Sequence, residues 1–350
     1  MENTVKKQHY IWRNYLTKWT DSGDRFKGKL FVLRKTLKGN QNKIEFQALE
    51  KIGFEKYYYD ITGFKEKDIL ILNQLIAHMQ KQQMLKFGIE KDTLDEALTQ
   101  RDFIEKRVMS TSENIENEFH FFEKLIEGDL SFYEDSDNQK VMDELMKRIL
   151  SSILFGQEIS QQEIVELLKK FSCHETLDLK YEFNRFFCMQ YLRSPRVINN
   201  TKKNIDEIKQ NYDEIKDIDT NFFTNMLMVY FGERMALNIT QNFKSSILLY
   251  KNNTNTPFIT GDTPIICLPG KEMNGMSVFH YPVSPKIAVE LIIVPKFSDF
   301  ATFSKNIVME LNDELVSIVR NCNKKLARNC VNEIYSDSEK ILMDLLTEVD

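Results

Sequence analysis

The chain has 350 residues, with 47 Lys plus Arg against 52 Asp plus Glu and a formal net charge of −5. That balance excludes a protein that coats nucleic acid through a general basic excess, and leaves room only for a local basic cleft. The five cysteines hold no Cys-x-x-Cys pair, which excludes a disulfide framework and the usual structural zinc spacings.

The opening MENTVKKQHY lacks the apolar run of a signal peptide, and no stretch reaches the length of a membrane span. The most apolar helical candidate, 221–237, carries Glu233 and Arg234. A cytoplasmic protein that does not engage a membrane is expected, with its cysteines acting as small buried apolar residues.

Taken in chain order, Trp12, Tyr15, Leu16 and Trp19 fall at helical spacing and predict a short amphipathic helix. Gln8 lies four residues before Trp12 and is placed on the same face, with His9 at the helix start. Thr20-Asp21-Ser22-Gly23 breaks that helix. Stretches 29–36 and 55–61 then read as strands that join the later strands in one sheet.

From about 65 to 175 the pattern is mostly helical. Ile69-Leu72-Ile76-Met79, Phe119-Phe122-Leu125-Ile126 and Met142-Leu145-Ile149-Ile153 each keep a helical period, and 127–140 reads as a loop. In the next helix, 175–194, Gln190 and Arg193 continue the stripe of Phe183, Phe186 and Phe187. Burying an amide without a hydrogen-bond partner costs about 1–3 kcal/mol, so both polar residues are expected to meet specific partners or line a cleft. Pro195 ends the helix. A polar helix around 201–217 and an apolar one around 220–243 follow.

Residues 256–295 concentrate the β-favouring runs, with strands expected at 257–260, 265–268, 277–281 and 287–294. Two corners punctuate them, Gly261-Asp262-Thr263-Pro264 and Pro282-Val283-Ser284-Pro285, the second stiffened by prolines. A long helix or helix pair over 300–330 and a charged tail close the chain. The expected fold is α+β, predominantly helical, with one small antiparallel or mixed sheet. It is a single domain over 1–350, in which 65–175 forms a helical layer between the N-terminal strands and the 245–295 strand region.

Six residues stand out as candidates. His9 is the histidine in a motif-like setting, able to act as acid or base, or merely to cap its own helix. Asp262 either orients His9, a metal or Arg193, or closes an Asx-turn. Arg193 either grips an anionic group with its planar fork or pairs with Asp262. Gln8, Gln190 and Ser284 complete a substrate-binding set. Ser284 lacks the Gly-x-Ser-x-Gly elbow of an activated nucleophile and reads as a corner hydroxyl. His280 alternates with Tyr281 along a strand and reads as a satisfied histidine. No metal-ligand spacing, phosphate loop or dinucleotide fingerprint is present, and no cofactor is indicated.

Gln8-His9-Tyr10 with Tyr15-Leu16, the strand at Lys29, Gln190-x-x-Arg193-Ser194-Pro195, Thr260-Gly261-Asp262-Thr263-Pro264, Pro282-Val283-Ser284-Pro285 and a segment over 323–336 ending in Ile334-Tyr335-Ser336 occur in this order. The ordered set resembles the bacterial domain-of-unknown-function family four-two-three-eight. That family's pattern has a proline near Trp12, Thr at Ser194 and Asn at Thr263, so this chain departs from it at three places. The resemblance selects residues and implies no reaction.

Two functions are weighed. One is an intracellular bacterial hydrolase of toxin or phage-defence type acting on nucleic acid or nucleotide, with His9 and Asp262 catalytic. The other is a non-enzymatic sensor or partner-binding module, for instance toward an operon-encoded protein, in which the same residues form a buried polar network.

Overall fold

Phe243–Asn252 carries the longest strand of the protein, because Ile247, Leu249 and Tyr250 can be buried while Lys244 and Lys251 reach outward. In the computed structural model, which describes residues 7–35, 43–56, 58, 65–72, 74, 120–133, 174–241, 243–268, 276–295 and 306–349, this strand lies inside a five-stranded sheet. In chain order the strands are β1 (Lys7–His9), β2 (Lys29–Arg34), β3 (Lys43–Ala48), β4 (Phe54–Lys56), β5 (Phe243–Asn252) and β6 (Thr260–Gly261). They continue with β7 (Ile266–Cys267), β8 (Ser277–Ser284), β9 (Ile287–Pro295), β10 (Ile307–Leu311) and β11 (Glu333–Ser336).

The single small sheet expected from the pattern is corrected here. The five-stranded sheet has the order β10-β5-β9-β8-β7, and a separate four-stranded sheet has the order β3-β2-β11-β6. A third pairing joins only β1 and β4, antiparallel, with His9 opposite Phe54. The division arises at Gly261-Asp262-Thr263-Pro264. Before this corner β6 pairs with β11, and after it β7 pairs with β8, so the chain crosses from one sheet to the other within a few residues. Gly261 is required at the crossing, since a Cβ there would collide with the Cys330 thiol and lie 2.7 Å from the Glu333 carbonyl.

Other elements shift from their expected positions. Strand β8 runs on through Pro282 to Ser284, and the turn falls at 285–286. Proline is tolerated there because β7 reaches only Phe279 and His280, and the ladder with β9 is irregular between Pro282 and Ser284. Residues 307–311 form β10, parallel to β5, where a helix was the expectation. The "charged tail" contains the amphipathic helix Glu339–Val349. Gln8 and His9 lie on β1 rather than at a helix start.

The helices are α1 (Arg13–Leu16), α2 (His120–Glu127), α3 (His174–Leu192), α4 (Pro195–Asn211), α5 (Thr220–Gln241), α6 (Val316–Asn329) and α7 (Glu339–Val349). A 3-10 turn, Thr17–Trp19, extends α1, so Tyr15, Leu16 and Trp19 are all buried. Ser194 precedes Pro195 in extended backbone, and the proline takes the first turn of α4, where its missing N–H costs nothing. Helix α5 keeps its Glu233 in a soluble setting: the carboxylate accepts from the Tyr181 hydroxyl at 2.7 Å and the Arg185 Nε at 2.9 Å. No helix among the described residues is long and apolar enough to cross a membrane. The periodic stretch at 142–153 and most of the expected 65–175 layer lie outside the described residues.

The main core lies where α1, α2 and α3 meet β8. Tyr15 stacks on Tyr281 with ring centroids 5.3 Å apart, and Trp12 meets Phe122 and Phe186 edge-on. Phe187 packs edge-on against both Tyr281 and Phe279. These rings give the large apolar burial that drives the N-terminal segment onto the distant sheet.

Candidate functional site

The site is built around the sheet-crossing corner. Asp262 is fully buried, and its carboxylate accepts three backbone N–H groups, from Val331 at 2.8 Å, Asn332 at 2.5 Å and Glu333 at 3.2 Å. Its own N–H donates to the Glu333 carbonyl at 3.0 Å. Burial raises the Asp262 pKa above the ordinary carboxylate value, against the downward pull of the three amides. The arrangement resembles an Asx-turn in chemistry, but it acts across about 70 residues of chain and holds the turn between α6 and β11.

Glu333, which lies in the 323–336 segment but is not among the candidate residues, links this corner to the N-terminus. Its carboxylate accepts from the Tyr335 hydroxyl at 2.6 Å and from the Gly53 N–H at 3.2 Å. The Gly53 carbonyl in turn accepts from the Tyr10 and Ile11 N–H groups at 3.0 and 3.3 Å. Gly53 has φ +62°, so the tight approach uses a conformation that glycine adopts without strain. Arg34 lies 3.5 Å from Glu333 and 3.7 Å from Glu45, a half-exposed arrangement that screening keeps weak. Burial lifts the Tyr10 pKa well above the phenol range, with the charges of Glu333 and Asp262 adding to the effect. One signal in the sequence pointed to Glu333: it immediately precedes the Ile334-Tyr335-Ser336 motif.

Arg193 reaches the same N-terminal segment. Its Nη2 donates to the His9 carbonyl at 2.9 Å, while its own carbonyl accepts from the Tyr58 hydroxyl at 2.9 Å. The guanidinium therefore meets the main chain of His9, and it does not pair with Asp262. The imidazole of His9 lies against Phe54 at 5.6 Å between ring centroids, and His9 is not among the groups that contact the Asp262 carboxylate. Gln8 stands opposite Glu55 in the β1–β4 pair. Ser284 lies at the β8 end, where its Oγ accepts the Lys286 N–H at 3.2 Å, a turn contact.

Tyr15 ties α1 to both sheets. Its hydroxyl donates to the Pro282 carbonyl at 2.7 Å and therefore accepts from the Thr260 Oγ1 at 2.6 Å. Trp19 Nε1 donates to the Phe258 carbonyl at 3.0 Å. Asn323 of α6 bridges the Ile259 N–H and the Pro257 carbonyl. Hydrogen bonds of Tyr15, Arg193, Asp262 and Asn323 thus join segments distant in the chain.

Gln190 differs from these. It is 1% exposed, and neither its amide oxygen nor its amide nitrogen has a hydrogen-bond partner among the described residues. The Tyr281 hydroxyl, also buried, is in the same condition. Both lie in the layer where α3 packs on β8, since Phe186 and Phe187, one turn before Gln190, touch the Tyr281 ring.

The family model described as "Protein of unknown function (DUF4238)" matches residues 7–340. No curated protein and no solved structure matches the chain. The match runs from β1 into the last helix and takes in every connection described above, and the chain belongs to the DUF4238 family of proteins of unknown function.

Proposed function

We propose that this chain is a non-enzymatic sensor or partner-binding module, in which the motif residues hold the N-terminal segment against the two sheets. The observation that carries this reading is the Asp262 carboxylate. Both of its oxygens accept backbone amides in a buried position, which supports a connecting role for it rather than a catalytic one. Arg193 supports the same reading, because it spends a donor on the His9 carbonyl rather than on an open anion site. Gln190 and the Tyr281 hydroxyl supply the binding side: two buried polar groups without hydrogen-bond partners among the described residues, each costing about 1–3 kcal/mol until something bonds them. A small uncharged ligand with its own donor and acceptor, or a conformational change driven by a partner, would recover that cost.

The test pairs a turnover screen with variants. The full chain is incubated with single- and double-stranded DNA and RNA and with nucleotides, with and without divalent cations, beside His9→Ala. The binding reading expects no turnover that His9→Ala removes. A His9→Ala protein that keeps its melting temperature but loses about 100-fold or more of a hydrolytic turnover, the scale of general acid–base catalysis, overturns it in favour of the hydrolase.

A further inference from the structure

A further buried polar cluster among the described residues lies on the other side of the five-stranded sheet, away from the motif network. His280 and Glu290 are directly opposite in the β8–β9 pair, and Cys322 comes from α6. All three are buried, at 0%, 2% and 6% exposure. Their ligating atoms lie within 4.8 Å of one another, and His280 Nδ1 is 4.0 Å from Glu290 Oε1. Apolar residues packed together in that layer include Phe258, Ala288, Leu311 and Val319, with Tyr250 beside them.

We propose that His280, Glu290 and Cys322 bind one divalent transition cation of the zinc type. Imidazole nitrogen, carboxylate oxygen and thiolate sulfur are the donors that zinc takes in proteins. With metal–ligand distances of about 2.0–2.3 Å, a tetrahedral ion sets its donor atoms roughly 3.3–3.6 Å apart. A closure of about 0.6 Å would bring His280 and Glu290 to that spacing, a side-chain adjustment across one strand pair.

Charge balance argues for a divalent ion. One carboxylate and one thiolate cancel two positive charges, and neutral imidazole adds none, so the occupied cluster is neutral in an apolar layer where net charge is costly. Full burial also separates this cluster from a Cys-His nucleophile, which must be open to its substrate. The separations of 10 and 32 residues between 280, 290 and 322 match no short metal motif. Only the strand pairing and the packing of α6 on the sheet bring the three together.

The experiment uses the full chain, stripped with a chelator under reducing conditions, and refolded with Co(II) because all three ligands are buried. The expected result is one equivalent bound with a sulfur-to-cobalt charge-transfer band. That band should vanish in Cys322→Ser, and affinity should fall by about 10-fold or more in Glu290→Gln and His280→Gln. Refolding with Zn(II) in place of Co(II) should give a protein without the band that melts higher than the stripped wild-type chain. Circular dichroism checks that each variant folds. A folded wild-type chain that binds neither Co(II) nor Zn(II) overturns the proposal and leaves a buried His280–Glu290 pair. A charge-transfer band that survives Cys322→Ser overturns it as well, by assigning the metal to another thiol. If Cys322→Ser fails to fold, Cys322→Ala takes its place, and a band that survives there overturns the proposal in the same way.

Discussion

Truncating Asp262 tests the central connection of the fold. Asp262→Ala removes the acceptor for three part-buried amides, those of Val331, Asn332 and Glu333. Hydrogen bonds to a charged acceptor contribute about 1.5–3 kcal/mol each, and an amide left without a partner costs a similar amount, so the gross loss is roughly 4–8 kcal/mol. Against this stands the desolvation of the carboxylate, which the raised pKa of Asp262 makes visible and which the substitution relieves. Water entering beside residue 262 recovers part of the rest. A net loss of about 2–4 kcal/mol follows, and with a urea m-value near 3 kcal/mol/M the midpoint should fall by about 1 M. Hydrogen exchange should quicken at 331–333 in the same protein. Asp262→Asn keeps one acceptor and sheds the charge, so its loss should be smaller. A midpoint within about 0.2 M of wild type, with protection unchanged at 331–333, would refute the reasoning.

The remaining predictions address the other connections. Acid should act on Asp262 in the sense opposite to a salt-bridged carboxylate. Burial raises its folded pKa, so the charged form costs stability at neutral pH, and that cost is relieved as pH falls through the folded value toward about 4. The stability difference between wild type and Asp262→Asn should shift toward wild type over that window, and a shift toward Asn would contradict it. Tyr15→Phe removes the hydroxyl between Thr260 and Pro282 and should cost about 1–3 kcal/mol, a melting-temperature drop of several degrees. Arg193→Ala should cost about 1–2 kcal/mol and speed exchange in residues 9–16, the segment it holds through His9. Gln190→Leu replaces a buried amide that no described residue bonds, so it should raise the unfolding midpoint in urea by an amount worth about 1–2 kcal/mol. A lowered midpoint would mean that the amide is already satisfied.

Helices α3, α4 and α5 were legible because their apolar spacing extends over many turns, and Ser194-Pro195 marks the joint between two of them. Strands β8 and β9 were legible from their β-branched runs. Strand β10 was not, because Ile307, Val308 and Met309 are exposed on an edge and carry no alternation toward a core. The two-sheet division was hidden for a related reason. β6 and β7 are two residues each, too short for any period, and only their partners reveal that the chain changes sheets at Asp262. Asp262 and Gln190 are buried, and Arg193 donates to the His9 carbonyl. The contacts of Asp262 and Arg193 span 69 to 184 residues of chain, which local spacing cannot encode.

The place of β11 between β2 and β6 has a consequence for how the chain is made. Strand β2 ends at Arg34, and its neighbour begins at Glu333, antiparallel to it. At a synthesis rate of about 5–20 residues per second, roughly 15–60 s separate the emergence of the two strands from the ribosome. Throughout that interval the β2–β3 hairpin must wait with one edge unpaired, a template for another chain. Nascent chains of this protein should therefore depend on holdase chaperones, and premature termination before residue 333 should leave an aggregating fragment rather than a smaller folded one.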